Sequence, residues 1–103
     1  MSRFSNTNSN GGGFDTAVVL AVWQKAPVAL GYDPRVIRKD RCGAWIKLAN
    51  YGTVGEYGWE IDHDIPVSMG GSDALYNLQP LHWQNNRGKG DNWPQWTCAV
   101  WAK

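Results

Sequence analysis

Residues 59–92 read WEIDHDIPVSMGGSDALYNLQPLHWQNNRGKGDN, and the spacing of acids, histidine and asparagines in this stretch decides the fold. Trp59, Ile61, His63 and Ile65 alternate with Glu60, Asp62 and Asp64, the period of two of a strand with one apolar and one acidic face. Pro66 has no N–H to give a neighbouring strand and so limits its pairing. Gly70, Gly71, Ser72 and Asp73 predict a turn, 74–76 a short helical piece, 78–81 a brief strand and 83–89 a helix. Asp62 sets a hard oxygen beside an imidazole that titrates near neutral pH, and Asn77 and Asn86 follow 14 and 23 residues after His63. Metal-dependent hydrolysis of a phosphodiester can use such a set. A regular strand turns Asp62 and His63 to opposite faces, however, so either the strand distorts or its edge holds the site.

Asp62-His63, Ile65-Pro66, Gly70-Gly71, Asn77-Leu78, Pro80-Leu81 and Asn85-Asn86-Arg87, in that order and with a glycine turn before the first asparagine, resemble the HNH nuclease family. No pair is specific alone; the ordered set is. The resemblance implies an α+β domain with the ββα-metal fold of HNH nucleases, here with an added N-terminal helix and flanking short strands. It implies DNA as substrate, His63 as the general base that activates water, and a product with 5′ phosphate, one strand being nicked per site. Asn77 would fix the loop and keep His63 oriented.

Asp62 resembles the family's first metal ligand and Asn86 its second. Both offer oxygen, which suits one divalent cation, Mg²⁺ or Mn²⁺, better than zinc. Some relatives have histidine at Asn86 and a further histidine where this chain has Gly90, so the site has few ligands, and Asp64 or Asp91 are candidates to add one. His82 and Asn85 stand where zinc-bearing relatives carry a Cys-x-x-Cys pair, so no structural zinc is expected and His82 reads as a packing or hydrogen-bonding residue.

Net charge is only +1, but its distribution is uneven. Residues 1–50 hold seven Lys or Arg against three Asp, and residues 51–103 hold three against six acids. The basic share concentrates in Arg35, Arg38, Lys39, Arg41 and Lys47, of which Arg38, Lys39 and Arg41 are the candidates for a nucleic-acid backbone. Arg87 and Lys89 flank Asn86 and are placed to offset charge building on a phosphate, although cations near a helix C-terminus are favoured in any case.

At 103 residues the chain makes one domain, read as a disordered polar tail over 1–13 and an HNH nuclease domain over 14–103. Seven Trp, four Tyr and two Phe compensate for the small core, and core packing is the expected role of the tryptophans. Asp15 predicts an N-cap for a helix over 16–25 that Pro27 ends, and residues 42–51 alternate as a strand. The segment 95–103 reads as a strand or a strap over the core. Cys42 and Cys98 read first as reduced thiols, with a bridge left open. The longest apolar run, 17–23, is too short to span a bilayer, so no membrane partner is expected and the location read by default is cytoplasmic.

Two other functions fit parts of this pattern. One is a non-catalytic DNA-binding module of the same fold, against which the complete Asp62, His63, Asn77 and Asn86 set counts. The other is an antibacterial DNase toxin, which would share the chemistry and bind an immunity protein. A small solitary domain of this kind, as a monomer or weak dimer, is expected to cut with little specificity or to borrow it from a protein partner.

Overall fold

The computed structural model describes residues 4–102 and is a mixed α+β domain. Helix α1 (Thr16–Trp23) is followed by strands β1 (Ile37–Lys39) and β2 (Trp45–Lys47), then β3 (Trp59–His63), β4 (Leu78–His82) and helix α2 (Trp83–Lys89). Single 3₁₀ turns occupy Leu48–Asn50, Val67–Met69 and Leu75–Asn77. The strands form two antiparallel pairs, β1 with β2 and β3 with β4. In the second, Trp59 lies opposite His82 and His63 opposite Leu78. No described helix is long and apolar enough to cross a membrane.

Asp15 caps α1 as its sequence predicts, its carboxylate accepting from Val18 N at 3.0 Å. The helix ends two residues short of the expected 25. Lys25 instead extends its ammonium to the carbonyls of Leu75 and Leu78 and ties the end of α1 to β4. Val19, Val22 and Trp23 of α1 pack with Ile46, Trp59, Ile61 and Leu78 in the core. Trp59 is the hub, with Trp23 at 5.4 Å and Tyr51 edge-on at 4.8 Å between ring centroids.

Several expectations are corrected. The tryptophans divide: Trp23 and Trp59 are buried, whereas Trp93 and Trp101 are exposed, because the segment that carries them runs along the surface. The strand expected over 42–51 is only Trp45–Lys47, since Cys42 and Gly43 turn on the Asp40 carboxylate and residues 48–50 coil into a 3₁₀ turn. Its partner β1 has too few residues to show a period. Residues 4–13, read as disordered, instead form an arm along the domain. Asn6 Oδ1 accepts from Ile61 N at 2.8 Å on the free edge of β3, and the Ser9 amide donates to Asp73. Residues 1–3 and 103 lie outside the described residues.

Cys42 and Cys98 are bonded to each other, against the reading of two free thiols. The bridge works with a buried polar knot. Asp40 accepts from Cys42 N, Ala44 N, His82 N and Asn85 Nδ2, while Asn85 Oδ1 accepts from Ala99 N and Val100 N. The segment after α2 is therefore a strap, held by one covalent bond, the Asn85 amide and a bond from Ala102 N to Gly43 O, and Asp40 ties Asn85 to the β1–β2 turn.

The connection from β3 to β4 is clamped by Asn77. Its Oδ1 accepts from Ile65 N at 2.8 Å and its Nδ2 donates to Ile65 O and Ser72 O. Gly71 must lack a side chain, because a Cβ there would lie 1.7 Å from Ile65 O and 2.9 Å from Asn77 Nδ2. Asn77→Ala removes these three part-buried hydrogen bonds and should lower unfolding free energy by about 2 kcal/mol, a loss readable in urea denaturation. Reducing the bridge, which closes a span of 56 residues, should cost about 4 kcal/mol on the chain-entropy model. An unfolding midpoint unmoved by reductant would show that the bridge adds nothing to the knot.

Candidate functional site

Strand β3 is buried along its whole length, including the face read as acidic. Glu60 and Asp62 point to one side of it, toward α2, and Ile61 and His63 to the other. A cavity of about 540 Å³ is lined by Asp62, His63, Asn86, Arg87 and Asp91, and roofed by residues 4–7 of the arm. Asp62 and His63 share it without distortion of the strand, whose register stays regular to its last residue. His63 is that residue, so the cavity wraps the end and free edge of β3 and is reached from both faces.

Helix α2 supplies the other wall through its buried side chains Asn85, Asn86 and Lys89. Asn86 Nδ2 donates to Glu60 Oε1 at 3.0 Å, which leaves the amide oxygen as the atom it can offer elsewhere. Arg87 donates to Glu60 Oε2 at 3.0 Å, lies over the Trp83 ring and keeps its side chain 47 % exposed. Ser5 of the arm donates to the same oxygen.

Asp62 accepts from Gln79 Nε2 at 2.8 Å, and the Lys89 ammonium stands 3.3 Å from it and 3.0 Å from the carbonyl of His63. Burial pushes the Asp62 carboxyl up to about 6, against the opposing pull of Gln79 and Lys89. His63 Nε2 lies 2.7 Å from Asp73 Oδ1. Partial desolvation pushes the Asp73 carboxyl up, but hydrogen bonds from His63 and Ser9 together outweigh it and hold the group below the usual carboxylate range.

Of the residues singled out in the sequence, Asp62, His63, Asn86 and Arg87 meet around one cavity. Asn77 does not line it and acts on the loop after His63. Lys89 cannot reach a phosphate: it is fully buried, because its place on α2 faces the Asp62 carboxylate that neutralises it. Arg38 is also withdrawn from any nucleic-acid surface, its guanidinium spent on the carbonyls of Pro34, Gln24 and Ala26. Lys39 sits over the Trp45 ring, away from the cavity. Arg41 lies over Trp96, remains exposed and donates to Gln79 Oε1, so Gln79 links it to Asp62. Asp64 faces Arg41 and not the cavity, which Asp91 does line. His82 caps α2, accepting from Gln84 N and bonding Glu56 O, in keeping with a hydrogen-bonding role.

Glu60, Gln79, Asp73 and the arm were not read from the sequence. Glu60 was findable, since a period of two places it beside Asp62. Gln79 follows once the register sets it opposite Asp62. Nothing local marks Asp73 or Asn6, whose partners lie 10 and 55 residues away.

Asp62 and Asn86 are hard-oxygen donors on one cavity, and a buried carboxylate whose pKa is raised by desolvation gains from a nearby cation. Their donor type suits a divalent ion, which would share the Asp62 carboxylate with Lys89 and Gln79. Among the described residues no three His, Cys, Asp or Glu side chains form a metal-holding group, so such a site would depend on the Asn86 amide.

No curated protein and no solved structure matches the chain. The family model described as HNH endonuclease matches residues 40–92, a span that holds β3, β4, α2, and Asp40, Asp62, His63, Asp73 and Asn86. Covering half of the sequence, that match makes this chain a member of the HNH endonuclease family.

Proposed function

We propose that the chain is a metal-dependent endonuclease that hydrolyses phosphodiester bonds in DNA, nicking one strand per site. The observation that carries this reading is the convergence of His63, Asp62, Asn86 and the half-exposed Arg87 on one cavity. Binding DNA alone does not require an imidazole beside a buried carboxylate.

In this reading His63 takes the proton from a water as that water attacks phosphorus. Arg87 reaches the cavity from a half-exposed side chain and meets the charge that grows on the phosphate. Glu60 aims the Asn86 amide by holding its N–H group, and Lys89 and Gln79 hold the Asp62 carboxylate. Asp62 and Asn86 would hold a divalent cation, Mg²⁺ or Mn²⁺, whose chemistry is to polarise the phosphate and stabilise the leaving oxygen.

With supercoiled plasmid and Mg²⁺ or Mn²⁺, the wild type should give nicked product. His63→Ala should slow this on the order of 10²- to 10⁴-fold while DNA binding in a gel-shift assay is kept. An inert wild type that still binds DNA would favour the binding module instead.

Asp62 also sets a pH dependence. Its pKa is raised to about 6, so below that pH a cation must displace a proton, and above it no proton competes. Affinity for Mn²⁺ should rise by up to about tenfold per pH unit as pH climbs toward 6, then level off. Calorimetric titration of the protein with Mn²⁺ reads this directly. Binding that is flat across this range, or unchanged in Asp62→Asn, would remove Asp62 from the ligand set.

A further inference from the structure

We infer that Asp73 is the positioning residue of the base, fixing the His63 imidazole with its hydrogen on Nε2 and its lone pair on Nδ1. The inference deepens the nuclease reading and rests on it. Asp73 Oδ1 stands 2.7 Å from His63 Nε2. An ionised carboxylate only accepts hydrogen bonds, so Nε2 is the nitrogen that carries the hydrogen. A neutral imidazole has one N–H, and Nδ1 is then bare, as a general base requires. Without a partner, the imidazole exchanges between two N–H forms and its ring turns about its side-chain torsions. A short, charge-assisted bond selects one form and one orientation.

Asp73 is itself held, and from a distant part of the chain. The Ser9 amide donates to its Oδ1 at 3.0 Å and Oδ2 at 3.2 Å, and the Ser9 hydroxyl donates to Oδ2 at 2.7 Å. The arm thus holds both oxygens of the carboxylate, and Oδ1 accepts from the Ser9 amide and the imidazole together. Phe14 lies 6.0 Å from the His63 ring and limits its swing. The exposures also differ in a useful sense, the Asp73 side chain being 37 % exposed and that of His63 9 %. The acid keeps contact with water and stays ionised, while the ring it orients is inside the domain.

The test uses protein labelled with ¹⁵N at its two histidines, without substrate. In the wild type, the His63 Nε2 hydrogen should give a slowly exchanging, downfield resonance, and Nδ1 the shift of an unprotonated ring nitrogen. Asp73→Ala should abolish the slow exchange and lower kcat for plasmid nicking about 10- to 100-fold, with KM within about twofold. Ser9→Ala should move both readouts the same way by less. Signals of His82, held by Glu56 and Gln84, should stay in place and report an intact fold. A His63 resonance unaffected by Asp73→Ala, or, where the wild type nicks DNA, a kcat that does not fall, would overturn the inference. The resonance needs no cleavage to be seen. An inactive wild type in which Asp73→Ala still abolishes it would therefore sink the nuclease reading and leave the role of Asp73 as orienter of His63 standing.

Discussion

Two carboxylates, Glu60 and Asp62, lie on one buried face of a five-residue strand, and the surrounding structure answers the cost of hiding them. An unpaired buried charge destabilises a domain by several kcal/mol, and a domain this small has no such margin. Helix α2 meets the demand residue by residue: Asn86 and Arg87 bond Glu60, and Lys89 pairs with Asp62. Gln79 does the same from the neighbouring strand and the arm's Ser5 from above. The family-like run Asn86-Arg87-Gly88-Lys89 is therefore as much a counter-ion for β3 as a set of groups aimed at substrate. A lysine that sequence alone assigns to phosphate is consumed inside the protein for this reason.

A second constraint is size. Zinc-bearing relatives have a cysteine pair where this chain has His82 and Asn85, and here those positions join a knot centred on Asp40. The Asp40 carboxylate gathers two amides of the β1–β2 turn, the His82 amide at the start of α2 and the Asn85 side chain. Asn85 then holds the strap, which Cys98 bonds to Cys42. Four-fold acceptance by one buried carboxylate, with a covalent bond beside it, draws together the β1–β2 turn, the start of α2 and, through Asn85, the strap. The exposed Trp93 and Trp101 belong to this strap, which explains why aromatic content overstated the core.

What the sequence disclosed and what it hid divide along physical lines. Alternation from Trp59 to Ile65 and the Asp15 cap are local or periodic signals, and β3 and α1 form where they predict, each ending two residues early. The family-like spacings brought Asp62, His63, Asn86 and Arg87 to one cavity. Hidden were pairings with no period. Arg38 sits in a run of exposed-looking cations, yet three carbonyls at the end of α1 and the following turn capture it. The arm is polar and glycine-rich, the composition of disorder, but a single amide, Asn6, matches both the free edge of β3 and the Tyr51 hydroxyl. Composition measures average apolar content, whereas a few aimed hydrogen bonds are enough to dock ten residues.

The opposite orientations of Asp62 and His63 also determine how the site is supported. Because alternation sends them to different faces, their side chains are held by different elements. Asp62 is fixed by α2 and β4, through Lys89 and Gln79, and His63 by the β3–β4 connection and the arm, through Asp73 and Ser9. The two sets share no side chain. They meet only through the backbone of β3 and through Lys89, which bonds the His63 carbonyl as well as the Asp62 carboxylate. An alteration at Ser9 therefore acts on the imidazole through Asp73, which does not bond the Asp62 carboxylate. A change at Lys89 acts on both, since that ammonium spans the two neighbouring residues at the point where the strand ends and the cavity begins.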